Sequence, residues 1–312
     1  MTVQPAKTPS AELSEAELAE AIAQLGQEAS IEISVHDIRD LVASRALLPT
    51  GKKVYVSHPP KQTWQETEAA CRAVRDAGFD PVPHVPVRLL PDAATLDRLL
   101  ATLVADAHVQ EVLLIAGDYR QPVGPYMTVS EVLRSEVLGQ HGLTRVSLAG
   151  HPEGHPQVGR DEIRLWERKK TALAMAAGLD VTLVTQFFFE PAPFLDWVAD
   201  LRLQGVRARL VAGLAGPAGL ATLFRFALRC GAGPSIRALG ARPTSMMKLI
   251  GDHGPEQVVR ELAQAKSAGE SDFGGIHLFS FGGYLRACTW LREVADGNFR
   301  LNDRGGFDVQ GR

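Results

Sequence analysis

The sequence predicts an α/β protein, a single-domain (β/α)8 TIM barrel with an additional N-terminal helix. Three observations predict it: eight short β-type runs, helical patterns between them, and polar residues where the runs end. Alternating strands and helices are typical of a parallel sheet, and a count of eight fits closure into a barrel. An open doubly wound sheet is the alternative, but no GxGxxG follows an early strand.

The eight predicted strands are short and mostly aliphatic. The run 112–117 is the most continuous apolar one, which predicts a strand buried on both faces. Pro81 and Pro83 lie in the third run, where proline is unusual for a strand. The strands are predicted over 29–34, 53–58, 80–85, 112–117, 145–149, 181–186, 207–212 and 275–281.

Helical patterns fill the intervals between these runs. Thr63 and Asp161 are typical of helix N-termini, and Gly78 and Gly178 lie where helix C-termini favour glycine. We expect a domain organisation of N-terminal extension and helix (1–27), barrel catalytic domain (28–296) and irregular C-terminal tail (297–312). Helices are predicted over 10–26, 36–46, 64–77, 92–105, 128–139, 160–177, 191–204, 217–231, 254–268 and 283–295.

Composition excludes several classes of protein. Of the 312 residues, 45% are hydrophobic and 22% are charged, which is enough for a sizeable core. The net charge of −3 gives no reason to expect nucleic acid or an anionic membrane as partner. The three cysteines form no CxxC motif, which argues against a disulfide framework and favours a cytoplasmic location. No apolar run approaches the length of a membrane span. The oligomeric state stays open, and a homo-oligomer is compatible with the sequence.

Polar residues at the carboxyl ends of the strands are the candidate site, because those ends form the active face of such a barrel. Each has an ordinary structural alternative: Glu32 alternates with isoleucines and could face solvent, Asp118 could cap a turn, and His84 could be a structural histidine. The histidine pair of the loop after strand five has no carboxylate set to complete a zinc site, so we predict no metal. The candidates are Glu32, Ser57, His58, His84, Asp118, His151, His155, Gln186 and Ser280.

Gln186 is difficult to explain as a surface residue. It follows a buried run and precedes three phenylalanines, where an unpaired amide would cost about 1–3 kcal/mol. The phenylalanines 187–189 and Phe194 are typical of a core, but a flat aromatic ligand would also use them. The run 168–170 is typical of a solvated helix face, and its position after the histidine-rich loop also suits an anionic ligand. Before any family resemblance is considered, these residues indicate an enzyme that binds a flat polar molecule and uses a carboxylate as acid or base.

Two segments resemble a known family. Residues 149–156, which read AGHPEGHP, and residues 185–190, which read TQFFFE, resemble the methylenetetrahydrofolate reductase family. The LIAGD of 114–118 looks like that family's LRGD segment, and His84 looks like its histidine at the end of strand three. The resemblance covers roughly residues 28–290, in the family's order and spacing.

The resemblance implies a (β/α)8 barrel that carries FAD and passes a hydride from NAD(P)H to 5,10-methylenetetrahydrofolate, giving 5-methyltetrahydrofolate. Glu32 matches the general acid that helps open the imidazolidine ring. Asp118 matches a carboxylate that contacts the pterin near the flavin, and Gln186 and Phe226 match residues beside folate or nicotinamide. The positions implied for the cofactor are Ser57, His84, Gly117, Asp118, Thr128, His151, His155 and Lys169.

Several flavin contacts of the family are altered in this chain. Ala116 replaces an arginine, Thr128 replaces a tyrosine that covers the flavin, and His151 stands where tyrosine is common. A flavin-independent variant of the reductase is therefore one alternative. A folate-binding protein of one-carbon metabolism without reductase activity is another. A folate-dependent methyl transfer enzyme is a third, although no methyl-acceptor site can be identified. The sequence does not decide between NADH and NADPH.

Overall fold

Eight parallel strands close into one barrel in the computed structural model of the chain, which confirms the predicted fold class. The strands pair in chain order, and β8 closes the sheet by pairing with β1, where Ser30 is the register partner of His277. The structure describes residues 13–117, 119–155, 158–219, 222–223, 225–226 and 254–310. The strands are β1 (Ser30–Ile33), β2 (Lys53–Val56), β3 (Asp80–Pro86), β4 (Glu111–Ile115), β5 (Arg145–Gly150), β6 (Asp180–Thr185), β7 (Arg209–Ala215) and β8 (Gly275–Phe279).

Helices surround the barrel and cover the outward faces of the strands. Thr63 begins a helix as predicted: its hydroxyl accepts from the Glu66 backbone N–H, and the Glu66 carboxylate accepts from the Thr63 backbone in return. The helices are α1 (Glu15–Glu28), α2 (Leu41–Ser44), α3 (Trp64–Asp76), α4 (Ala93–Ala107), α5 (Val129–Arg134), α6 (Val137–Gln140), α7 (Arg160–Ala176), α8 (Pro191–Leu203), α9 (Glu256–Ser267) and α10 (Tyr284–Ala295).

Two predicted helices differ from the structure. The segment predicted as 36–46 is a 3-10 helix over Val35–Asp40 followed by the single turn α2. The segment predicted as 128–139 is interrupted at Glu136, whose φ of 55° is left-handed and cannot continue a right-handed helix, so α5 and α6 are separate. The helix predicted over 217–231 lies largely outside the described residues.

The C-terminal tail was predicted to be irregular, and that prediction was wrong. Two short antiparallel strands, β9 (Phe299–Leu301) and β10 (Phe307–Val309), form a hairpin there. Both phenylalanines of the hairpin are buried, with ring centroids 4.7 Å apart, and Phe307 also stacks on Trp290 of α10. Burial of these aromatic rings orders a segment that is otherwise rich in glycine and aspartate.

The N-terminal helix α1 packs against α9 and α10. Leu18, Ile22 and Leu25 of α1 are buried in the same hydrophobic core as the outward-facing strand residues. Lys52 strengthens this attachment, because its ammonium donates to the carbonyl oxygen of Gln27 at 2.6 Å. Among the described helices, none is long and apolar enough to cross a bilayer.

Gly213 on β7 tests how tightly β6 and β7 are packed. A Cβ added there would lie 2.1 Å from the carbonyl oxygen of Thr185, which is backbone and cannot rotate away. We expect Gly213→Ala to lower the free energy of unfolding by about 3 kcal/mol, measured by urea denaturation. Gly139→Ala on α6 is the control, because nothing lies within 4 Å of the added Cβ, and its unfolding midpoint should not fall. Equal midpoints for the two variants would contradict this packing.

Candidate active site

Glu32 lies on β1 and faces the barrel interior. Ile31 and Ile33, on either side, are fully buried in the core under the helices, which decides against the alternative that Glu32 faces solvent. The Glu32 side chain keeps 18% of its surface accessible, so a ligand can reach it. Burial raises the pKa of Glu32 to about 8, because the interior disfavours the charged carboxylate. The carboxyl is therefore protonated at neutral pH.

His84 on β3 is the nearest polar neighbour of this acid. Its Nε2 lies 3.5 Å from Glu32 Oε2, and the His84 side chain is only 11% exposed. Burial, and to a smaller extent the nearby His58, lowers the pKa of His84 to about 3. Both groups are therefore neutral near pH 7, and their contact is not an ion pair. The Nε2 atom is buried and makes no well-aligned hydrogen bond to the described residues.

Two further polar side chains, Tyr55 and His277, lie in the barrel interior. Tyr55 on β2 donates or accepts a hydrogen bond with Ser147 on β5, at 2.9 Å. Its ring centroid is 4.6 Å from that of His277 on β8, and His277 Nδ1 is 2.9 Å from Ser30 Oγ. Burial lowers the pKa of His277 to about 3. Sequence reasoning missed Tyr55 and His277 because they lie within strands; the available signal was one polar residue among aliphatic neighbours.

A cluster of phenylalanine side chains lies at the carboxyl ends of β6 and β8. Phe187 is buried and its ring contacts three other rings of the cluster. Phe226 belongs to the cluster, 4.6 Å from Phe281, so the structure places this predicted residue beside other partly exposed rings. The cluster consists of Phe187, Phe189, Phe226, Phe279 and Phe281.

The phenylalanine cluster adjoins His277 of β8. The ring of Phe279 lies 4.8 Å from that of His277, centroid to centroid. Gln186 follows β6 directly, and its backbone N–H donates to the Gly150 carbonyl at 3.1 Å. The polar side chains and the phenylalanine cluster therefore meet on β8, where Phe279 contacts His277.

A buried carboxylate, which sequence reasoning missed, accepts a hydrogen bond from the backbone of the histidine-rich loop after β5. Glu167 on α7, only 1% exposed, accepts from the His151 backbone N–H at 2.7 Å and from Trp197 Nε1 at 2.9 Å. Arg164 adds an ion pair at 2.9 Å. Burial works to raise the pKa of Glu167, but these hydrogen bonds and the charges of Lys170 and Arg164 outweigh it and lower the pKa to about 2.

The lysines of α7 divide between two roles. Lys169, the predicted cofactor residue, is exposed on the outer part of the helix. Lys170 instead turns inward, where its ammonium donates to the carbonyl oxygen of Ala149. Burial lowers the pKa of Lys170 to about 8, and the charge of Glu167 opposes that shift. His155 lies in the exposed part of the loop, where it forms a bridge with Val158, and its ring is 6.1 Å from that of His151.

The loop after β4 is organised by Arg88. Its guanidinium donates to the carbonyl oxygens of Met127 at 2.8 Å and Tyr119 at 2.7 Å. Gly117 in this loop has a φ of 89°, and a Cβ there would lie 3.1 Å from Pro86. Asp118, the second predicted catalytic residue, lies outside the described residues.

Two more predicted cofactor residues have local structural roles. Thr128 caps helix α5: its backbone and hydroxyl both donate to Glu131, at 2.8 and 2.5 Å. Ser57, just after β2, donates its hydroxyl to the Ile33 carbonyl at 3.2 Å. His58 stacks on Trp64 and bonds to Thr67, so it joins β2 to α3.

The structure thus brings Glu32 and His84 into contact and places Phe226 in the phenylalanine cluster. Gln186 lies between the end of β6 and Phe187 of that cluster. Thr128 and Lys169 are exposed outside that contact group. Among the described residues, no group of three or more histidine, cysteine or acidic side chains could hold a metal ion.

Comparison with known proteins adds little to these contacts. No protein-family model matches the chain. A dihydropteroate synthase structure from Thermus thermophilus, in complex with 6HMPPP, is similar with a TM-score of 0.45 and 10% identity over 84% of this chain and 91% of that one. A second structure of that enzyme gives 0.43 and 12% over 83% and 90%. Values this low carry no argument about activity, and the barrel assignment rests on the strand pairing.

Glu167→Gln tests whether the buried carboxylate supports the loop after β5. Removing the charge leaves Arg164 and Lys170 poorly compensated, so we expect the free energy of unfolding to fall by about 3 kcal/mol at pH 7. Because the folded pKa of about 2 lies below the ordinary 4.5, this stabilisation is complete above pH 4.5 and is lost as pH falls through 2. Urea unfolding at several pH values measures both effects.

Glu162→Gln is the control for this experiment. Glu162 is exposed in the first turn of the same helix, so removal of its charge should lower the free energy of unfolding by only about 0.5 kcal/mol. Our account of Glu167 is wrong if the two variants lose equal stability, or if the deficit of Glu167→Gln does not shrink in acid.

Proposed function

We propose that the chain is an oxidoreductase that interconverts 5,10-methylenetetrahydrofolate and 5-methyltetrahydrofolate with NAD(P)H, with Glu32 as general acid. The observation that carries this proposal is the position of the Glu32 carboxyl, which lies inside the barrel, keeps 18% of its side-chain surface accessible, and has its pKa raised by burial to about 8. It lies in the position that resembles the acid of the methylenetetrahydrofolate reductase family.

The chemistry needs an acid that keeps its proton near neutrality. Opening the imidazolidine ring requires a proton on the nitrogen that leaves the methylene carbon, and an acid with a pKa near the working pH supplies it efficiently. An ordinary glutamic acid, with a pKa near 4.5, would be ionised. Burial beside the neutral His84 supplies the required shift without a second carboxylate.

The phenylalanine cluster supports a flat ligand. Partly exposed aromatic rings bury planar molecules such as a pterin or a nicotinamide, and stacked or edge-on contacts add about 0.5–1.5 kcal/mol per ring pair. Gln186 directly precedes Phe187 of this cluster, and its amide can both donate and accept, which suits the mixed donor and acceptor edge of a pterin. Phe226 would contribute a ring to the same surface.

The described residues fit FAD poorly. Thr128, which replaces a flavin-covering ring of the family, caps a helix. Cationic side chains are one means of holding a pyrophosphate, but Arg88 and Lys170 are engaged with loop carbonyl oxygens, and Arg164 with Glu167. These engagements favour the flavin-independent form of the reaction, in which NAD(P)H delivers the hydride directly.

In that form the reaction balances without another oxidant or reductant. Glu32 donates a proton to the leaving ring nitrogen, the carbon–nitrogen bond breaks with its electron pair on that nitrogen, and the methylene carbon becomes an iminium. A hydride from NAD(P)H adds to this carbon, which gives the methyl group and NAD(P)+. Alignment of donor and acceptor is the main requirement for such a transfer. In the reverse direction Glu32 returns as the base.

Glu32→Gln tests the proposed acid. Loss of the proton donor should lower folate-dependent NAD(P)H oxidation by about 100-fold or more, while folate binding changes little. Wild-type turnover should stay level below pH 8 and fall tenfold per pH unit above it, as Glu32 ionises. Initial rates and folate binding by calorimetry across pH measure these effects.

Glu20→Gln, an exposed change on α1, is the matched control and should behave as wild type. Retained turnover in Glu32→Gln would rule out the acid role. Tight folate binding by wild type without any NAD(P)H oxidation would instead favour the folate-binding protein without reductase activity.

A visible spectrum of the purified protein tests the cofactor. We expect no flavin absorption, and folate-dependent NAD(P)H oxidation that added FAD does not stimulate, because Arg88, Arg164 and Lys170 are engaged with protein groups. Yellow protein that releases FAD on denaturation, or a rate that depends on added FAD, would establish the flavin-dependent form.

A further inference from the structure

Tyr55 occupies the barrel interior directly beside the proposed acid. Glu32 and Tyr55 are register partners on the adjacent strands β1 and β2, and register partners point to the same side of a sheet. Tyr55 is only 2% exposed. Its ring centroid lies 6.2 Å from that of His84 and 4.6 Å from that of His277. The ring thus lies near both histidines, of which His84 contacts the acid.

A chain of hydrogen bonds fixes this ring in place. Ser147 donates to Glu111 at 2.6 Å, and Lys53 donates to the other oxygen of Glu111, also at 2.6 Å. Because the one hydroxyl proton of Ser147 goes to Glu111, the Tyr55 hydroxyl must be the donor in its 2.9 Å bond to Ser147. β3 and β4 separate β2 from β5, so the Tyr55–Ser147 bond crosses the barrel interior.

The groups around the acid are neutral over a wide pH range. Burial, reinforced by the charge of Glu111, raises the pKa of the Tyr55 phenol far above its ordinary value. Burial keeps the pKa values of His84 and His277 at about 3. Lys53 and Glu111 form an ion pair with each other, at the end of this hydrogen-bond chain that is opposite Tyr55. Arg209 on β7 acts on the phenol electrostatically, and no contact of Arg209 with Glu32 is seen among the described residues.

We propose that Tyr55 is a positioning residue for Glu32: its anchored ring closes the interior side of the acid to water and cations, so that the carboxyl is reached only from the open end of the barrel. This role rests on the proposed function, in which Glu32 is the proton donor. The same arrangement explains why the strand residue next to the acid is a tyrosine bonded across the barrel rather than an aliphatic side chain.

The test follows the titration of Glu32 itself, in the full chain and without substrate. Infrared difference spectra across pH report the protonated carboxyl, and Glu32→Gln identifies its band. In Tyr55→Leu, water enters beside the acid, and we expect the Glu32 midpoint to fall by about 2 pH units toward its ordinary value. In Tyr55→Phe and Ser147→Ala, the ring remains but loses its anchor, so a smaller fall of about half a unit is expected. The falling limb of the pH–rate profile should move with the midpoint.

Tyr284→Leu is the matched control, because Tyr284 is fully buried on α10, outside the barrel interior, and the Glu32 midpoint should not move. If Tyr55→Leu does not fold, Tyr55→Phe and Ser147→Ala decide the question. A Glu32 midpoint equal to that of wild type in every folded variant overturns the role of Tyr55. Shifted midpoints in a protein whose wild type oxidises no NAD(P)H would support Tyr55 and overturn the reductase proposal alone.

Discussion

Desolvation of the Glu32 carboxyl inside a closed barrel is the constraint on which the candidate site depends. Eight strands close around Glu32 and leave it neutral, because the surrounding His84, His277 and Tyr55 offer no charge to stabilise the carboxylate. A cation in contact with the acid would lower its pKa and remove its proton near neutrality. The neutrality of the histidines is therefore as important as their proximity, and it has the same cause, which is burial.

The barrel interior is more polar than the layers of branched aliphatic residues usual in this fold. Val82, Leu113, Val184 and Val211 form an apolar part, but the side facing Glu32 contains tyrosine and histidine. Buried polar groups of this kind are tolerated when they are hydrogen-bonded. Tyr55 meets that condition only through a bond that crosses the barrel, so the acid environment depends on residues from strands distant in sequence.

Two loops that follow barrel strands, those after β4 and β5, are each held in place by hydrogen bonds to one charged side chain. Glu167 supports the loop after β5, and Arg88 supports the loop after β4. Their partners include backbone N–H and C=O groups that loops leave unpaired. The charges of Glu167 and Arg88 are thus used to build these loops.

The sequence by itself determined the eight strands, the capping of α3 at Thr63, and the candidacy of Glu32 and His84. These features depend on local alternation, on capping chemistry and on the rule that strand ends form the active face, all of which can be recognised over a few residues. The hairpin of the tail escaped sequence reasoning because Phe299 and Phe307 are ordered by packing on each other and on Trp290.

Only the tertiary structure decided which way Glu32 faces, what its pKa becomes, and that Tyr55, His277 and Glu167 matter. Glu32 and His84 are 52 positions apart in the sequence yet lie 3.5 Å apart in the barrel, and Tyr55 meets Ser147 across 92 positions. Burial and long-range hydrogen bonds exist only once the strands have closed, so a sequence pattern can name the acid but cannot show that it keeps its proton.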